Sequence, residues 1–216
     1  LAFFPLSVAF ILATIPEEEL CRVLMHRICP LAHWLQGYHR VITIITFCMG
    51  IFIGVYTGVL LSSFVARPLW NSAMLPALFL TSALSSGAAL MIIVARRKAV
   101  KLFFTKVDVI LIAAEILILC LFFYGQYTSS AAHRASILPF FSLNQEFFWY
   151  GASIILIGIV LPGALVMKLM EVTEGHGDEL SSSAVLTMNL SALLVIAGGL
   201  IIRLAFVYAG QLSAFS

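Results

Sequence analysis

Charged residues are scarce in this 216-residue chain. Lys, Arg, Asp and Glu together make up 10% of it, against 62% hydrophobic residues, whereas charged residues form about a quarter of an ordinary soluble domain. The mean hydropathy is correspondingly high, at +1.09. This composition excludes a soluble domain, gives no indication of nucleic-acid binding, and is typical of an integral membrane protein.

The sequence also lacks the period-two alternation of barrel strands. Its apolar runs instead reach the roughly 20 residues that a helix needs to cross a bilayer. The opening run, 1–15, is too short to cross, and we interpret it as the end of a helix that begins upstream. We therefore predict an all-α integral membrane fold: one transmembrane domain over 1–216, a polytopic bundle forming the C-terminal portion of a longer protein. Five full helices are expected after the truncated first one, at 41–63, 73–95, 109–132, 147–167 and 184–209.

Histidines are absent from the predicted spans, and the four cysteines form no paired motif. A b-type haem needs histidines on facing spans, and iron-sulfur or zinc sites need grouped cysteines. We therefore expect no haem and no iron-sulfur cluster in this chain. The acidic loop 171–183 has no specific ligand spacing, so a solvated loop is favoured over a cation site there.

Basic residues are distributed unevenly between the predicted loops. Most lie before residue 41 or between 95 and 109, whereas the loop after 63 has only Arg67 and the loop 129–146 only Arg134. Because Lys and Arg near span ends are retained in the cytoplasm, the Arg67 loop and the C-terminus are predicted outside. Residues 17–36 show apolar residues at helical spacing, which predicts an interfacial helix on the cytoplasmic surface.

Two charged side chains lie inside predicted spans, Glu115 and Arg203. A charge in the bilayer costs a few kcal/mol unless it is paired or reaches the interface. We expect Glu115 to be a protonatable site in the bundle interior. For Arg203, outward snorkelling and functional pairing are equally consistent with the sequence, and Arg203 is expected nearer the outer end than Glu115.

Gly50, Gly54 and Gly58 form a GxxxGxxxG stripe, which is typical of close helix packing. At about 100° per residue, Tyr56 lies roughly 200° from both Gly54 and Gly58, so its ring points away from that stripe. Its position is about 10 Å below the outer end of the span, judged from the helical rise. A quinone headgroup can lie at that depth.

Several segments resemble the NrfD/PsrC family, the membrane subunits of polysulfide-reductase-like and nitrite-reductase-associated complexes. They are YTG at 56–58, RPLWNS at 67–72, LPALFLTSALSSG at 75–87, LP at 161–162, GGLIIR at 198–203 and VYAGQ at 207–211. Glu115 in its Leu- and Ile-rich span is similar to the helix that follows in the family. The resemblance covers about residues 50–211.

The resemblance implies a membrane subunit of a quinone-dependent oxidoreductase complex that has no redox centre of its own. Electrons would pass between membrane quinone, either menaquinone or ubiquinone, and a docked ferredoxin-like iron-sulfur subunit. That subunit would lead to a molybdopterin or multihaem cytochrome partner. The implied location is the prokaryotic inner membrane, with the C-terminus of the chain in the periplasm.

The resemblance also suggests which residues act. Tyr56 is expected to donate a hydrogen bond to a quinone oxygen, while Arg67, Trp70 and Asn71 are expected at the outer mouth of the quinone site. A proton path is expected to use three further residues, Asp108, Glu115 and Arg203. Because family helices before this region also supply polar quinone contacts, we expect additional site residues upstream of residue 1.

Two other functions remain open from the sequence. One is a membrane anchor or proton-conducting subunit that does not bind quinone, suggested by Glu115 and by the upstream helices that the resemblance requires. The other is a small-solute transporter. It is the weaker hypothesis, because the sequence has no visible inverted repeat and only one helix break, at 162–163.

Overall fold

The computed structural model describes residues 37–95, 97–141, 164 and 182–212. By internal contacts the chain divides into two compact units, Leu1–Gly54 and Val55–Ser216. The described residues form helices joined by turns, without strands. The helices are α1 (His39–Ser62), α2 (Leu75–Val94), α3 (Lys98–Thr128), α4 (Ala131–Phe141) and α5 (Ser182–Leu212).

Four segments of these helices are long and apolar enough to cross a membrane: His39–Ser62, Leu75–Val94, Lys98–Thr128 and Val185–Gln211. They match four of the five predicted spans and confirm a helical, multi-pass membrane protein. The remaining predictions fall outside the described residues, so the total number of spans stays a prediction. These are the opening run 1–15, the interfacial helix 17–36, most of the span 147–167 and most of the acidic loop.

Two helix boundaries differ from the sequence prediction. Helix α3 begins at Lys98, well before the predicted start at 109, because Lys101, Thr105 and Asp108 lie on its buried face rather than in a loop. The predicted loop 129–146 contains helix α4. Ile137 and Phe140 of α4 are buried one turn apart, so tertiary packing stabilises a helix that is too short to be evident from hydropathy.

One face of α3 is buried along the whole helix. Its buried residues are Lys101, Thr105, Asp108, Ile112, Glu115, Leu119, Phe122 and Gln126. They recur at alternating spacings of four and three residues, which is the seam expected of packed helices. Helix α2 packs against both α3 and α5, and α4 packs against α3. Glu115 and the other polar residues of the seam therefore face helices instead of lipid.

An aromatic cluster fills the end of the bundle that contains the loop between α1 and α2. The rings of Phe122 and Phe206 meet edge to face with centroids 5.1 Å apart, and Leu69, Trp70 and Leu119 are buried in the same cluster. A separate aliphatic cluster lies nearer the Lys101 end and includes Ile92, Ile112 and Met188. The described part of the bundle thus has an aromatic cluster at one end and an aliphatic cluster nearer the Lys101 end, and the buried face of α3 also carries polar side chains.

Helix α1 approaches the start of α2 at Gly58. A Cβ atom on Gly58 would overlap the backbone of Pro76 and would lie 2.9 Å from the carbonyl oxygen of Leu75. This confirms close packing at the last glycine of the stripe. A Cβ atom on Gly50 would have no neighbour within 4 Å, so Gly50 tolerates a side chain that Gly58 does not.

We expect Gly58→Ala to destabilise the protein by about 1–3 kcal/mol, because the added methyl group forces α1 away from α2. The measurement is the thermal unfolding midpoint of the purified full-length protein in detergent. Gly50→Ala is the matched control and should leave the midpoint unchanged. Equal effects of the two substitutions would contradict the packing of Gly58 on Pro76.

Candidate functional site

The loop between α1 and α2 is fixed to the end of α5. The indole N–H of Trp70 donates a hydrogen bond of 2.9 Å to the carbonyl oxygen of Phe206. The Arg67 guanidinium donates to the carbonyl oxygen of Gln211. Trp70 also lies directly over Gly210, where any Cβ atom would overlap the indole ring. These contacts hold the loop to the last turns of α5.

The same loop is also fixed to the end of α3. The side-chain amide of Gln126 is buried and donates to the carbonyl oxygens of both Pro68 and Leu69, each at 3.2 Å. Leu69 is fully buried beneath them. The ends of α3 and α5 and the loop therefore lie at one end of the bundle, as the sequence predicted.

The three predicted mouth residues have different environments. Trp70 is only 9% exposed and uses its single N–H group on Phe206. Arg67 is half-buried and Asn71 is exposed. Trp70 and Arg67 thus contribute to the attachment of the loop, and a quinone contact by any of the three residues stays a prediction.

Tyr56 has a different environment from these loop residues. It is 52% exposed, and Val59 and Leu60, which lie one turn further along the same face of α1, are also exposed. Gly58 is buried against α2. The tyrosine ring therefore points away from the contact made by Gly58, in agreement with the helical-angle argument, and lies on an apolar helix face.

Asp108 is buried to 1% exposure in the seam between α3 and α2. The hydroxyl of Ser85 on α2 donates a short hydrogen bond of 2.6 Å to its Oδ1 atom. The other carboxyl oxygen, Oδ2, is buried and has no hydrogen-bond partner among the described residues. One half of this carboxyl group is therefore positioned by the protein, and the other half is available to water or a proton.

Glu115 lies two turns further along α3 and is 4% exposed. Its carboxyl group interacts with Ser82 on α2, is attracted by Arg203 on α5 and is repelled by Asp108. Arg203 is thus near enough to act on Glu115, but its Nε atom has no hydrogen-bond partner in the described part of the chain, and the choice between outward snorkelling and pairing stays a prediction.

Several buried polar atoms around Glu115 lack standard hydrogen bonds within the described part of the chain. They are Glu115 Oε1, Ser82 Oγ and Arg203 Nε. Helix α5 comes close to them at Gly199, where a Cβ atom would lie 3.1 Å from Ser82 Oγ and 2.8 Å from Ser86 Oγ. Unpaired polar groups inside a protein commonly bind ordered water, so this cluster is suited to hydration.

Lys101 adds a polar residue to the seam that the sequence had assigned only to the basic loop. It is 7% exposed, and its ammonium group donates a 2.9 Å hydrogen bond to Asn189 Oδ1 on α5. The hydroxyl of Thr105, one turn later, donates to the backbone carbonyl of Lys101. From Lys101 to Glu115 the buried face of α3 thus carries polar groups over about 20 Å, from the helical rise.

Asn189 and the two serines were not predicted as site residues. Lys101, Asp108 and Glu115 are seven residues apart in turn, a spacing that places all three on one face of a helix. The sequence analysis missed this face because it began the helix at 109 instead of at Lys98. Ser82 and Ser85 lie in the segment 75–87 that resembles the NrfD/PsrC family, but serines in membrane helices are also common packing residues. Their hydrogen-bonding roles required the structure.

The described ranges contain no candidate metal site. No group of three or more His, Cys, Asp or Glu side chains there could hold a metal ion, and Cys48 and Cys120 are free thiols. Two carboxyl groups separated by two helical turns are instead suited to accepting and releasing protons. On the buried face of α3, Glu115 is the last ionisable residue, and it is followed by Leu119 and Phe122 of the aromatic cluster.

Comparison with known proteins identifies related membrane proteins. The C subunit of the polysulfide reductase of Wolinella succinogenes is 31% identical over 224 residues, covering 97% of this sequence and 66% of the relative. The protein NrfD homolog of Haemophilus influenzae is 32% identical, covering 80% of this sequence and 53% of the relative. Protein NrfD of Escherichia coli is 26% identical, covering 83% and 55%.

The chain therefore spans between about half and two thirds of the length of these curated relatives. No solved structure shows a significant match to it. The family model described as "Polysulphide reductase, NrfD" matches residues 1–214, nearly the whole sequence. The four membrane-length helices of the structure agree with that match, and the chain belongs to the NrfD family of polysulphide reductase membrane proteins.

Proposed function

We propose that this chain is the haem-free membrane subunit of a respiratory oxidoreductase complex. It would connect membrane quinone, either menaquinone or ubiquinone, to a docked ferredoxin-like iron-sulfur subunit and a molybdopterin or multihaem cytochrome subunit. Membership of the NrfD family supports a role in such a complex. The basic-residue distribution supports a prokaryotic inner-membrane topology in which the Lys101 end faces the cytoplasm and the C-terminus the periplasm.

The observation that carries the quinone assignment is the half-exposed position of Tyr56 on an apolar face of α1. A phenol hydroxyl can donate a hydrogen bond to a quinone oxygen while the apolar neighbours Val59 and Leu60 contact the ring and its tail. Asn71 is exposed on the loop near the same end of α1. Arg67 and Trp70 would shape the mouth by holding that loop in place.

Bound quinone would be interconverted with quinol by two electrons, exchanged with the iron-sulfur subunit, and two protons. The role of Tyr56 is to orient one quinone oxygen through its hydroxyl hydrogen. Gly58 lies against Pro76, and Ser82, beside Glu115, is six residues further along α2, or about 9 Å by the helical rise. Tyr56 and the carboxyl group of Glu115 therefore lie at neighbouring depths.

We expect Tyr56→Phe to raise the KM for a soluble quinol or quinone analogue about threefold to tenfold, since one hydrogen bond contributes roughly 0.5–1.5 kcal/mol. The measurement is dye-linked quinone turnover by the intact complex. Tyr124→Phe is the matched control, because it removes the same hydroxyl from another exposed membrane tyrosine. Unchanged kinetics in Tyr56→Phe would count against the assignment.

A second proposed function, proton conduction, has its own support. The Ser85 hydroxyl is bonded to Asp108 and Ser82 interacts with Glu115. Ser82 and Ser85 are three residues apart and so are neighbours on one face of α2. The two hydroxyl groups, with bound water, would relay a proton between Asp108 and Glu115, and Arg203 would stabilise the carboxylate of Glu115 after the proton leaves.

This proton path would enter from the Lys101 end and reach the level of Glu115. Beyond Glu115 the buried face of α3 carries two apolar residues, Leu119 and Phe122, before the next polar side chain, Gln126. The arrangement supports a path through one half of the membrane that ends near the depth of Tyr56. A subunit that conducts protons without binding quinone would need only this part of the structure, and it remains the alternative proposal.

Asp108→Asn and Glu115→Gln should each reduce the protons moved per electron about tenfold or more, because amides of the same shape cannot carry a proton. The measurement uses inverted membrane vesicles that contain the intact complex and a pH-sensitive dye. Lys106→Gln changes an exposed charged residue of the same helix and should have no effect. A normal ratio in both carboxyl variants would contradict the path.

A further inference from the structure

Helix α4 carries an exposed cation that is held against the end of α3. The Nε group of Arg134 donates a 2.6 Å hydrogen bond to the carbonyl oxygen of Tyr127. The guanidinium also lies over the Tyr127 ring, 5.5 Å from the ring centroid, a distance at which the cation and the ring attract each other. The hydrogen bond uses one of the five N–H groups of the guanidinium, so an anion can still bind its two terminal amino groups.

Helix α4 itself lies along the last turns of α3. The ring of Phe140 packs against Phe123 with centroids 6.1 Å apart, while Arg134 contacts Tyr127, one turn further along α3. Phe140 is buried, whereas Leu138 is 62% exposed and lies one turn after Arg134. Helix α4 therefore buries one face in the bundle and exposes another that carries a cation and an apolar side chain, a combination typical of the membrane interface.

The neighbouring exposed face of α3 changes from aliphatic to aromatic. Leu117, Leu121 and Tyr124 are exposed and follow one another at spacings of four and three residues, and Tyr127 is exposed three residues later. Helix α3 has 31 residues and is about 46 Å long, close to the thickness of a bilayer with its headgroups. Its last turns therefore belong at the headgroup layer, where tyrosines are common. Arg134 lies at that same level.

We propose that Arg134 binds the phosphate group of a membrane phospholipid whose acyl chains lie along Leu117 and Leu121. The terminal amino groups of the guanidinium donate hydrogen bonds to the phosphate oxygens, and Tyr127 holds the guanidinium at headgroup depth. The apolar face extends from Tyr124 down to Leu117, about 10 Å by the helical rise. That length lies inside a membrane-spanning helix, which favours a lipid over a water-soluble protein as the occupant. Lipid binding here requires neither quinone nor proton transfer.

The test is photo-cross-linking of lipid in the intact complex. The photoreactive residue p-benzoylphenylalanine replaces Leu138, next to the proposed phosphate, or Leu117, which is equally exposed but lies deeper and serves as the matched control. The vesicles contain equal amounts of phosphatidylglycerol and digalactosyldiacylglycerol, which has similar chains and no phosphate. Mass spectrometry of the adducts gives the ratio of the two lipids at each position. We expect the ratio at position 138 to favour phosphatidylglycerol about fivefold more than the ratio at position 117.

Substitution of the arginine tests the role of its charge. With the photoreactive residue at position 138, Arg134→Gln should lower the ratio to the value at position 117, since the cation that attracts the phosphate is lost. Arg134→Lys should retain most of the preference, which a purely structural role for the guanidinium would not predict. An unchanged ratio in Arg134→Gln would contradict the proposal.

Three further outcomes would overturn the inference without any change at Arg134. Equal ratios at positions 138 and 117 would mean that no phosphate is recognised there. A cross-link from position 138 to another protein chain would make this face a protein interface. Loss of the preference in excess inorganic phosphate, but not in sodium chloride of equal ionic strength, would assign the site to free phosphate. A preference that persists in phosphate supports the lipid.

Discussion

The described bundle depends on the burial of one polar face of α3 between α2 and α5. Ionisable side chains facing hydrocarbon would be costly, so those of α3 face the adjoining helices, which supply some of their hydrogen bonds. Ser85 bonds Asp108, Asn189 bonds Lys101, and Arg203 attracts Glu115. The same requirement fixes the rotation of α3, because turning it would expose these groups to lipid. Stability and the proposed chemistry therefore rest on one set of contacts.

The two ends of the buried face of α3 differ in the kind of side chain that they carry. Toward the Lys101 end, polar residues alternate with the aliphatic cluster. Toward the loop end, Leu119 and Phe122 continue the same face into the aromatic cluster. The ionisable side chains of this face thus lie toward the Lys101 end, and Leu119 and Phe122 separate them along α3 from the Gln126 amide at the loop end. A membrane protein that maintains a proton gradient requires such a barrier.

The sequence predicted much of this fold because membrane helices are determined by continuous apolar length. The spans of α1, α2 and α5 were placed within a few residues, and the angular argument for Tyr56 held. The early start of α3 was missed because Lys101 and Asp108 lower the local hydropathy although both are buried. Helix α4 was missed because only the burial of Ile137 and Phe140 stabilises it. The serine contacts and Asn189 depend on helix rotation and pairing, which periodicity alone does not provide.

The loop between α1 and α2 joins the ends of α5 and α3 into one mechanical unit. Trp70 and Arg67 hold the final turns of the helix, and Arg203 lies about two turns below Gln211 on the same rod. A hydrogen-bonded helix resists compression along its axis. Because Gln126 also fixes the loop to α3, a partner protein that pressed on or pulled the loop would load α3 and α5 together, and Arg203 and Glu115 would keep their relative position.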